Sequence, residues 1–148
     1  MKILLAIDGS PHSDAAVHEV KSRPWPHGSV VRIVSAIQPY TPPATEIVLA
    51  GATLESVTRQ QTEQAAQLTN GAAESVRKAG LEVETAVHQG DPRSVIVDEA
   101  AEWGADLIVL GSHGRTGISR WLLGSVAGSV ASHAPCSVEI VRQPERRH

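Results

Sequence analysis

Short apolar segments alternate along the chain with longer segments in which apolar residues recur at the helical period. The apolar segments, each predicted to be a β-strand, are residues 3–7, 30–36, 83–87, 106–110 and 138–141. The first of them is apolar at every position, which is typical of a strand buried on both faces of a parallel sheet. The second is rich in β-branched residues, which also favours a strand.

Four helices are predicted between and after these strands, at residues 11–21, 46–79, 92–103 and 125–134. Ser10 can cap the first helix with its side-chain oxygen, and Pro11 suits the first helical position. Asp91 and the proline after it repeat this arrangement at the third helix. Gly80 and Gly104 are predicted to end the second and third helices, because glycine readily adopts the left-handed conformation found there.

The order of the predicted elements indicates the fold class. Strands that alternate with helices at this spacing predict βαβ units and an α/β fold with a doubly wound parallel sheet. Residues 38–43 contain three prolines and are predicted to be a loop. Because the chain has no internal repeat and no long linker, we expect one domain over residues 1–148.

Composition and charge narrow the classes of function. The chain has no Phe, one Tyr and three Trp, so its core must consist mainly of Val, Ile, Leu and Ala. The formal net charge is −3, and basic residues are not gathered on one segment. A protein that binds the phosphate backbone of nucleic acid needs a dense Lys and Arg surface. Nucleic acid is therefore not an expected partner.

The cysteine content and the apolar runs bear on the compartment. Cys136 is the single cysteine, which excludes an intramolecular disulfide and a multi-cysteine zinc site. We interpret it as a small buried apolar residue. The apolar run near residue 3 is too short for a secretory signal, and no segment approaches the roughly 20 apolar residues of a membrane span. We expect a cytoplasmic protein without a membrane partner.

The glycine-rich stretch after the fourth strand carries the candidate chemistry. It comprises Gly111-Ser112-His113-Gly114-Arg115-Thr116-Gly117 and, just before the last helix, Gly124-Ser125-Val126-Ala127. Glycine permits a positive φ and lets the backbone approach a ligand closely. The free amides and the dipole of the following helix favour an anion at its start. The stretch predicts a phosphate cradle, although turn glycines without a ligand would give the same pattern.

The spacing of these glycines resembles a known signature. Two residues separate Gly111 from Gly114, and nine separate Gly114 from the pair Gly124-Ser125. This pattern is similar to the nucleotide-binding signature of the universal stress protein family. The resemblance extends to residues 3–13, 105–115 and 124–142, and it is weakest over residues 38–67.

The resemblance implies a fold and a site. It implies one doubly wound five-stranded sheet in the order 3-2-1-4-5 with helices on both faces, the Rossmann-like architecture called adenine nucleotide alpha hydrolase-like. In that order the first and fourth strands end together at the point where the sheet order reverses, where open α/β sheets bind ligands. The implied nucleotide-binding residues are Ala6, Asp8, Ala36, Gly111, His113, Gly114, Arg115, Gly124, Ser125 and Val126.

The resemblance implies a role for all of these residues except Ala6. Asp8 would contact the nucleoside, although an aspartate at a strand end can equally be a helix-entry residue. Ala36 would meet adenine through its backbone, and the glycines, Ser125 and the amide of Val126 would hold ribose and phosphates. His113 and Arg115 either reach phosphate oxygens or are solvated loop residues. His12 is a weaker candidate for the same crevice.

Three classes of function remain open on the sequence. The first is an ATP-binding regulator in the stress response, which the resemblance implies is a homodimer paired through its last strand. The second is a slow ATPase or a nucleotidyl- or phosphoryl-transfer enzyme, and the third is a scaffold without nucleotide. The loop lacks the Lys of a P-loop, and no catalytic residue or metal ligand is identified. AMP, ADP or cyclic AMP can replace ATP in the first class, and Mg²⁺ can accompany the phosphates.

Overall fold

In the computed structural model, which describes residues 1–38, 43–49, 51, 53–114 and 122–144, five parallel strands form one sheet in the order β3-β2-β1-β4-β5. The strands are β1 (Lys2–Ala6), β2 (Val30–Ile37), β3 (Glu82–Gln89), β4 (Leu107–Gly111) and β5 (Ser137–Val141). The helices of the described ranges are α1 (Pro11–Ser22), α2 (Ala44–Leu49), α3 (Leu54–Lys78), α4 (Pro92–Trp103) and α5 (Ser125–His133). The predicted strand order is confirmed.

Side chains alternate between the two faces of the sheet along β1, so each face carries its own core. Ile3, Leu5 and Ile7 lie on the face that α1 and α3 cover. Leu4 and Ala6 lie on the opposite face, which α4 and α5 cover. All five side chains are at most 7% exposed. A strand buried on both faces requires the unbroken apolar run seen in the sequence, and the doubly wound arrangement is confirmed.

The predicted caps at the starts of α1 and α4 are confirmed by their hydrogen bonds. The backbone N–H of Ser13 donates to Oγ of Ser10 over 3.2 Å at the start of α1. The backbone N–H of Arg93 donates to Oδ1 of Asp91 over 2.9 Å at the start of α4. Each helix has a proline in its first turn. Gly104 ends α4 with a φ of 74°. These caps fix where the chain turns from strand to helix beside the carboxyl ends of the strands.

The prediction of one helix over residues 46–79 is wrong, because two helices, α2 and α3, occupy this region. Gly51 between them has a φ of 63°, which a continuous helix does not allow. Thr53 then caps α3 in a reciprocal arrangement with Ser56, whose backbone N–H lies 3.1 Å from Oγ1 of Thr53. Of the predicted loop, residues 39–42 lie outside the described residues. No helix in the described ranges is both long and apolar enough to span a lipid bilayer.

Charged side chains connect the helices to strands away from the centre of the sheet. Arg23, which follows α1, contacts Glu139 of β5 through both terminal nitrogens. Arg32 of β2 reaches Glu99 of α4 over 2.8 Å, and its guanidinium lies 4.6 Å from the ring centroid of Trp103. Glu99 is buried, and the ion pair compensates for its loss of water. These contacts hold α1 and α4 in place on opposite faces.

Cys136 lies between α5 and β5 and is half-buried against the core beneath α4 and α5. Burial raises the pKa of its thiol above the ordinary value, and the negative charge of Asp106 adds to the effect. A thiol that stays protonated at neutral pH is a poor nucleophile. Cys136 therefore acts as a packing group, which agrees with the sequence interpretation.

Candidate functional site

A cleft of about 1290 Å³ opens at the carboxyl ends of β1, β2 and β4. β1 pairs with β2 on one side and with β4 on the other, so the sheet order reverses between β1 and β4. The helices that follow these strands leave in opposite directions at such a point, which opens a crevice in parallel α/β sheets. The cleft is therefore where the topology places a ligand site.

The end of β2 presents backbone hydrogen-bonding groups to this cleft at Ala36. The N–H of Ile7 donates to the carbonyl of Val34 over 3.0 Å, so Val34 faces β1. The N–H of Gly90 donates to the carbonyl of Ile37 over 2.9 Å, so Ile37 faces β3. Because backbone direction alternates along a strand, the N–H and C=O of Ala36 face the side of β1. The pairing of β1 with β2 ends at Ala6, opposite Val34. The N–H and C=O of Ala36 therefore lie beyond the paired part of β1 and are directed into the cleft.

Asp8 lies at the end of β1, on the wall of the cleft. Its Oδ1 accepts a hydrogen bond from the N–H of Ser10 over 2.9 Å, and its own N–H donates to Oγ of Ser13 over 3.3 Å. A Cβ added at Gly114 would lie 3.1 Å from Oδ2 of Asp8. Asp8 is thus a helix-entry residue and a cleft residue at once. The structure brings it together with Gly114, as the sequence predicted.

The start of α5 forms the opposite end of the cleft. Gly124 occupies the N-cap position, and no side chain of the described residues caps this helix. The first intrahelical hydrogen bond runs from the N–H of Gly128 to the carbonyl of Gly124, over 2.9 Å. The preceding amides of the first turn therefore lack a partner within the helix. Ser125, Val126 and Ala127, which carry these amides, line the cleft, and the helix dipole adds positive potential there.

The three signature glycines are needed because neighbouring atoms lie where a Cβ would be, and not because the backbone adopts a conformation that only glycine favours. Gly111, Gly114 and Gly124 all lack a positive φ, so none of the three uses the left-handed conformation that glycine permits. A Cβ at Gly111 would lie 2.6 Å from the carbonyl carbon of His12. A Cβ at Gly124 would lie 2.9 Å from the carbonyl oxygen of Ser112. At Gly111 and Gly124 the close neighbours include backbone atoms of the protein. At Gly114 the close neighbour is a side-chain oxygen of Asp8.

His113 lies at the cleft but is buried, with 8% of its surface exposed. Its Nδ1 lies 2.9 Å from Oγ of Ser112, and its Nε2 donates to the carbonyl of Leu122. The interpretation of His113 as a solvated loop residue is wrong, and both ring nitrogens already have protein partners. His12 is not among the described residues that line the cleft; its ring lies 5.0 Å from that of His113. Arg115 lies outside the described residues.

Two walls of the cleft are formed by residues that were not predicted from the sequence. α3 contributes Gln61, Gln64 and Leu68, and α4 contributes its start at Asp91 and Arg93. The α4 wall has a signal in the sequence, because a helix start that follows β3 must lie beside the end of β2. The α3 wall has none, since the helical period does not tell which polar positions of α3 meet the sheet end.

Arg93 is the one Lys or Arg among the described residues that line the cleft. Its Nη2 lies 2.6 Å from Oδ2 of Asp91. The side-chain hydrogen bond from Arg93, followed by its backbone N–H, lowers the pKa of Asp91 below the ordinary value. The same pair raises the pKa of Arg93. The cation of Arg93 is therefore paired with the Asp91 carboxylate at the α4 side of the cleft.

A second depression, of about 600 Å³, lies on α3 between Leu54 and Glu63. The described residues that line it all belong to α3, so within the described ranges no polar groups converge on it from a second element. Across the described residues, no three His, Cys, Asp or Glu side chains lie close enough together to hold a metal ion. The cleft at the sheet reversal is thus the better supported site.

Comparison with known proteins identifies the family. The sequence profile of the universal stress protein family matches residues 1–142. A protein named as a universal stress protein from Staphylococcus aureus (strain USA300) is 34% identical over 145 residues, covering 97% of this chain and 84% of its own length. The structure of a universal stress protein from Lactobacillus plantarum matches with a TM-score of 0.76 and 25% identity, covering 96% of this chain and 97% of that one.

A universal stress protein solved in complex with cAMP has the same fold, with a TM-score of 0.63, 24% identity and 96% coverage of both chains. The profile match and the S. aureus relative each cover nearly the whole chain. This chain belongs to the universal stress protein family.

Proposed function

We propose that the protein binds ATP, or a closely related adenine nucleotide, in the cleft between β1 and β4 and acts as a nucleotide-dependent regulator in the stress response. One observation carries the proposal. The backbone groups of Ala36 and the start of α5, whose N-cap residue is Gly124, face the same cleft from opposite sides of the sheet reversal. A nucleotide has a base at one end and phosphates at the other, and this arrangement offers a partner to each.

The base end suits adenine. The edge of adenine presents an amine donor beside a ring-nitrogen acceptor, and Ala36 offers a C=O beside an N–H. Asp8 has a carboxylate on the same wall, which can accept from a ribose hydroxyl. Ala6, at the buried end of β1, forms part of the floor.

The phosphate end relies mainly on backbone dipoles. The first-turn amides of α5 point toward the cleft, and the Ser125 hydroxyl adds a donor at the same place. Gly114 leaves room beside Asp8 for the chain to pass close to the ligand. The loop position Arg115 remains a proposed phosphate ligand. Mg²⁺ would be held chiefly by the phosphates, since the described residues provide no cluster of carboxylates for it.

The family comparison supports an adenine nucleotide as the class of ligand. A universal stress protein of the same fold has been solved in complex with cAMP. We propose ATP for this chain because the α5 start offers several amides in succession, which suits more than one phosphate. We also propose that residues 1–148 form one cytoplasmic domain. A homodimer would pair through β5, which forms one edge of the sheet.

Calorimetric titration of ATP with Mg²⁺ tests the proposal on protein freed of any co-purified ligand. The wild type should bind, and Gly114→Val should lose at least about tenfold in affinity, because a β-branched side chain there meets the Asp8 carboxylate. Gly128→Ala is the matched control in the same region. Its added Cβ would meet only Leu123, at 3.9 Å, and Gly128 does not line the cleft.

Parallel titrations with ADP, AMP and cAMP rank the nucleotides. A wild type that binds none of these nucleotides would overturn the proposal. Equal loss of affinity in Gly114→Val and Gly128→Ala would show that the cradle is not where the nucleotide binds.

A further inference from the structure

Two short segments, residues 112–113 and 122–124, are hydrogen-bonded to each other at the proposed phosphate end of the cleft. The carbonyl of Ser112 accepts the N–H of Gly124 over 2.8 Å. The ring of His113 donates from Nε2 to the carbonyl of Leu122. The absence of a Cβ at Gly124 allows this approach, since a Cβ would lie 2.9 Å from Ser112 O and 3.1 Å from His113 Cα. We call these contacts the loop clamp; they join the end of β4 to the N-cap of α5.

The hydrogen bonds fix the protonation of the His113 ring. A carbonyl oxygen can only accept, so Nε2 must carry a proton to bond with Leu122. Nδ1 can then accept the hydroxyl proton of Ser112, whose Oγ is 2.9 Å away. Ser112 and His113 are 1% and 8% exposed, so the protein provides the hydrogen-bond partners of both side chains. The neutral tautomer with its proton on Nε2 satisfies both partners.

We propose that His113 is a positioning residue for phosphate binding, and not itself a phosphate ligand. Its bond to Leu122 fixes the chain two residues before the N-cap Gly124. The N-cap in turn sets the direction of the Ser125 and Val126 amides toward the cleft. The contact joins His113, just after β4, to Leu122, nine residues further along the chain and two residues before the N-cap of α5. This inference rests on the proposed nucleotide function and assigns His113 a role within it.

Two conservative variants separate the two nitrogens of the ring. The amide nitrogen of His113→Gln lies near the position of Nε2 and can still donate to the Leu122 carbonyl. The amide of His113→Asn can accept from Ser112 but is too short to reach Leu122. We expect His113→Gln to bind ATP within about threefold of the wild type and His113→Asn to lose at least about tenfold.

Adenosine is the control ligand, because it has the base and ribose but no phosphate. The account predicts that both variants bind adenosine as tightly as the wild type does. A role in general stability would lower the affinities for adenosine and ATP together. The proposal is overturned if His113→Asn keeps wild-type affinity for ATP, if both variants lose ATP equally, or if adenosine binding falls in step with ATP.

Nuclear magnetic resonance of the nucleotide-free protein tests the loop clamp without any ligand. The ¹⁵N signals of His113 should report a proton on Nε2, which the bond to the Leu122 carbonyl requires. The Gly124 amide should exchange slowly in the wild type and in His113→Gln, and at least about tenfold faster in His113→Asn. A ring protonated at Nδ1 alone would overturn the loop clamp. If the ring and the amide behave as predicted but no nucleotide binds, the proposed function fails while the loop clamp stands.

Discussion

Gly111 shows how a single position can serve the fold and the site together. Its missing side chain lets the backbone of α1 at His12 press against the end of β4, where a Cβ would lie 2.6 Å from one carbonyl carbon and 2.7 Å from its oxygen. This approach brings the turn that carries Asp8 next to the glycine loop. The spacing that resembles a ligand signature is therefore also a packing requirement.

A methyl group at Gly111 should destabilise the protein even when no ligand is present. We expect Gly111→Ala to lower the free energy of unfolding by roughly 1–3 kcal/mol, because backbone atoms of α1 must move to admit the new Cβ. The matched control is Gly71→Ala in the middle of α3, where a Cβ meets nothing within 4 Å. That change should raise stability by about 0.5–1 kcal/mol. Urea denaturation of the three proteins measures both, and a Gly111→Ala variant as stable as the wild type would contradict the packing role.

The positions of single residues could be predicted from the sequence where the residue lies at the end of a strand. They could not be predicted where a contact with a group distant in sequence decides the environment of the side chain. Asp8 and Gly111 come together because β1 and β4 are neighbours, which strand order alone predicts. The burial of His113 depends on the Leu122 carbonyl, nine residues further along. No local pattern shows which loop carbonyl a histidine ring will meet.

Among the elements, the break between α2 and α3 shows that helical periodicity and helix capping carry different information. Periodicity predicts that a helix forms, whereas capping residues decide where it begins. The helical period of the apolar residues predicted a helix in this region but did not show where α3 begins. Local signals decide that boundary, through the positive φ of Gly51 and the reciprocal cap between Thr53 and Ser56. The caps of α1 and α4 were predictable because a proline marks the first turn of each helix.

The ion pair at the start of α4 should make the free energy of unfolding depend on pH in the acid range. The hydrogen bonds from Arg93 lower the pKa of Asp91 in the folded protein, whereas the unfolded chain keeps a value of about 3.9. The unfolded state therefore binds the proton more readily. The stabilisation from this group is full above the unfolded pKa and is lost as pH falls through the lower folded pKa.

Asp91→Asn provides the comparison, since it keeps a capping side chain but does not titrate. The stability difference between the wild type and this variant should shrink as pH falls from about 5 toward 3. Thermal melts at several pH values measure it. A difference that stays constant over this range would show that the ion pair does not contribute to folding.

At the scale of the whole molecule, the sheet order determined the position of the cleft. Continuous apolar strands and intervening helices predicted the doubly wound sheet, and the family resemblance supplied its order, which the structure confirms. The α3 wall near Gln61 and Gln64 was not predictable, since it depends on how a long helix lies across the sheet end. The strand ends and the glycine loop are thus predictable from local patterns, whereas the opposite wall depends on tertiary packing.

The central claim is that one cleft binds both ends of an adenine nucleotide. The most direct test maps backbone amide shifts in a ¹⁵N-labelled protein during titration with Mg²⁺ and ATP. The account predicts the largest changes at Ala36, Ser125 and Val126, and no comparable change on the α3 surface between Leu54 and Glu63. Saturation without change at Ala36 or at the α5 start, or changes centred on that α3 surface, would contradict it.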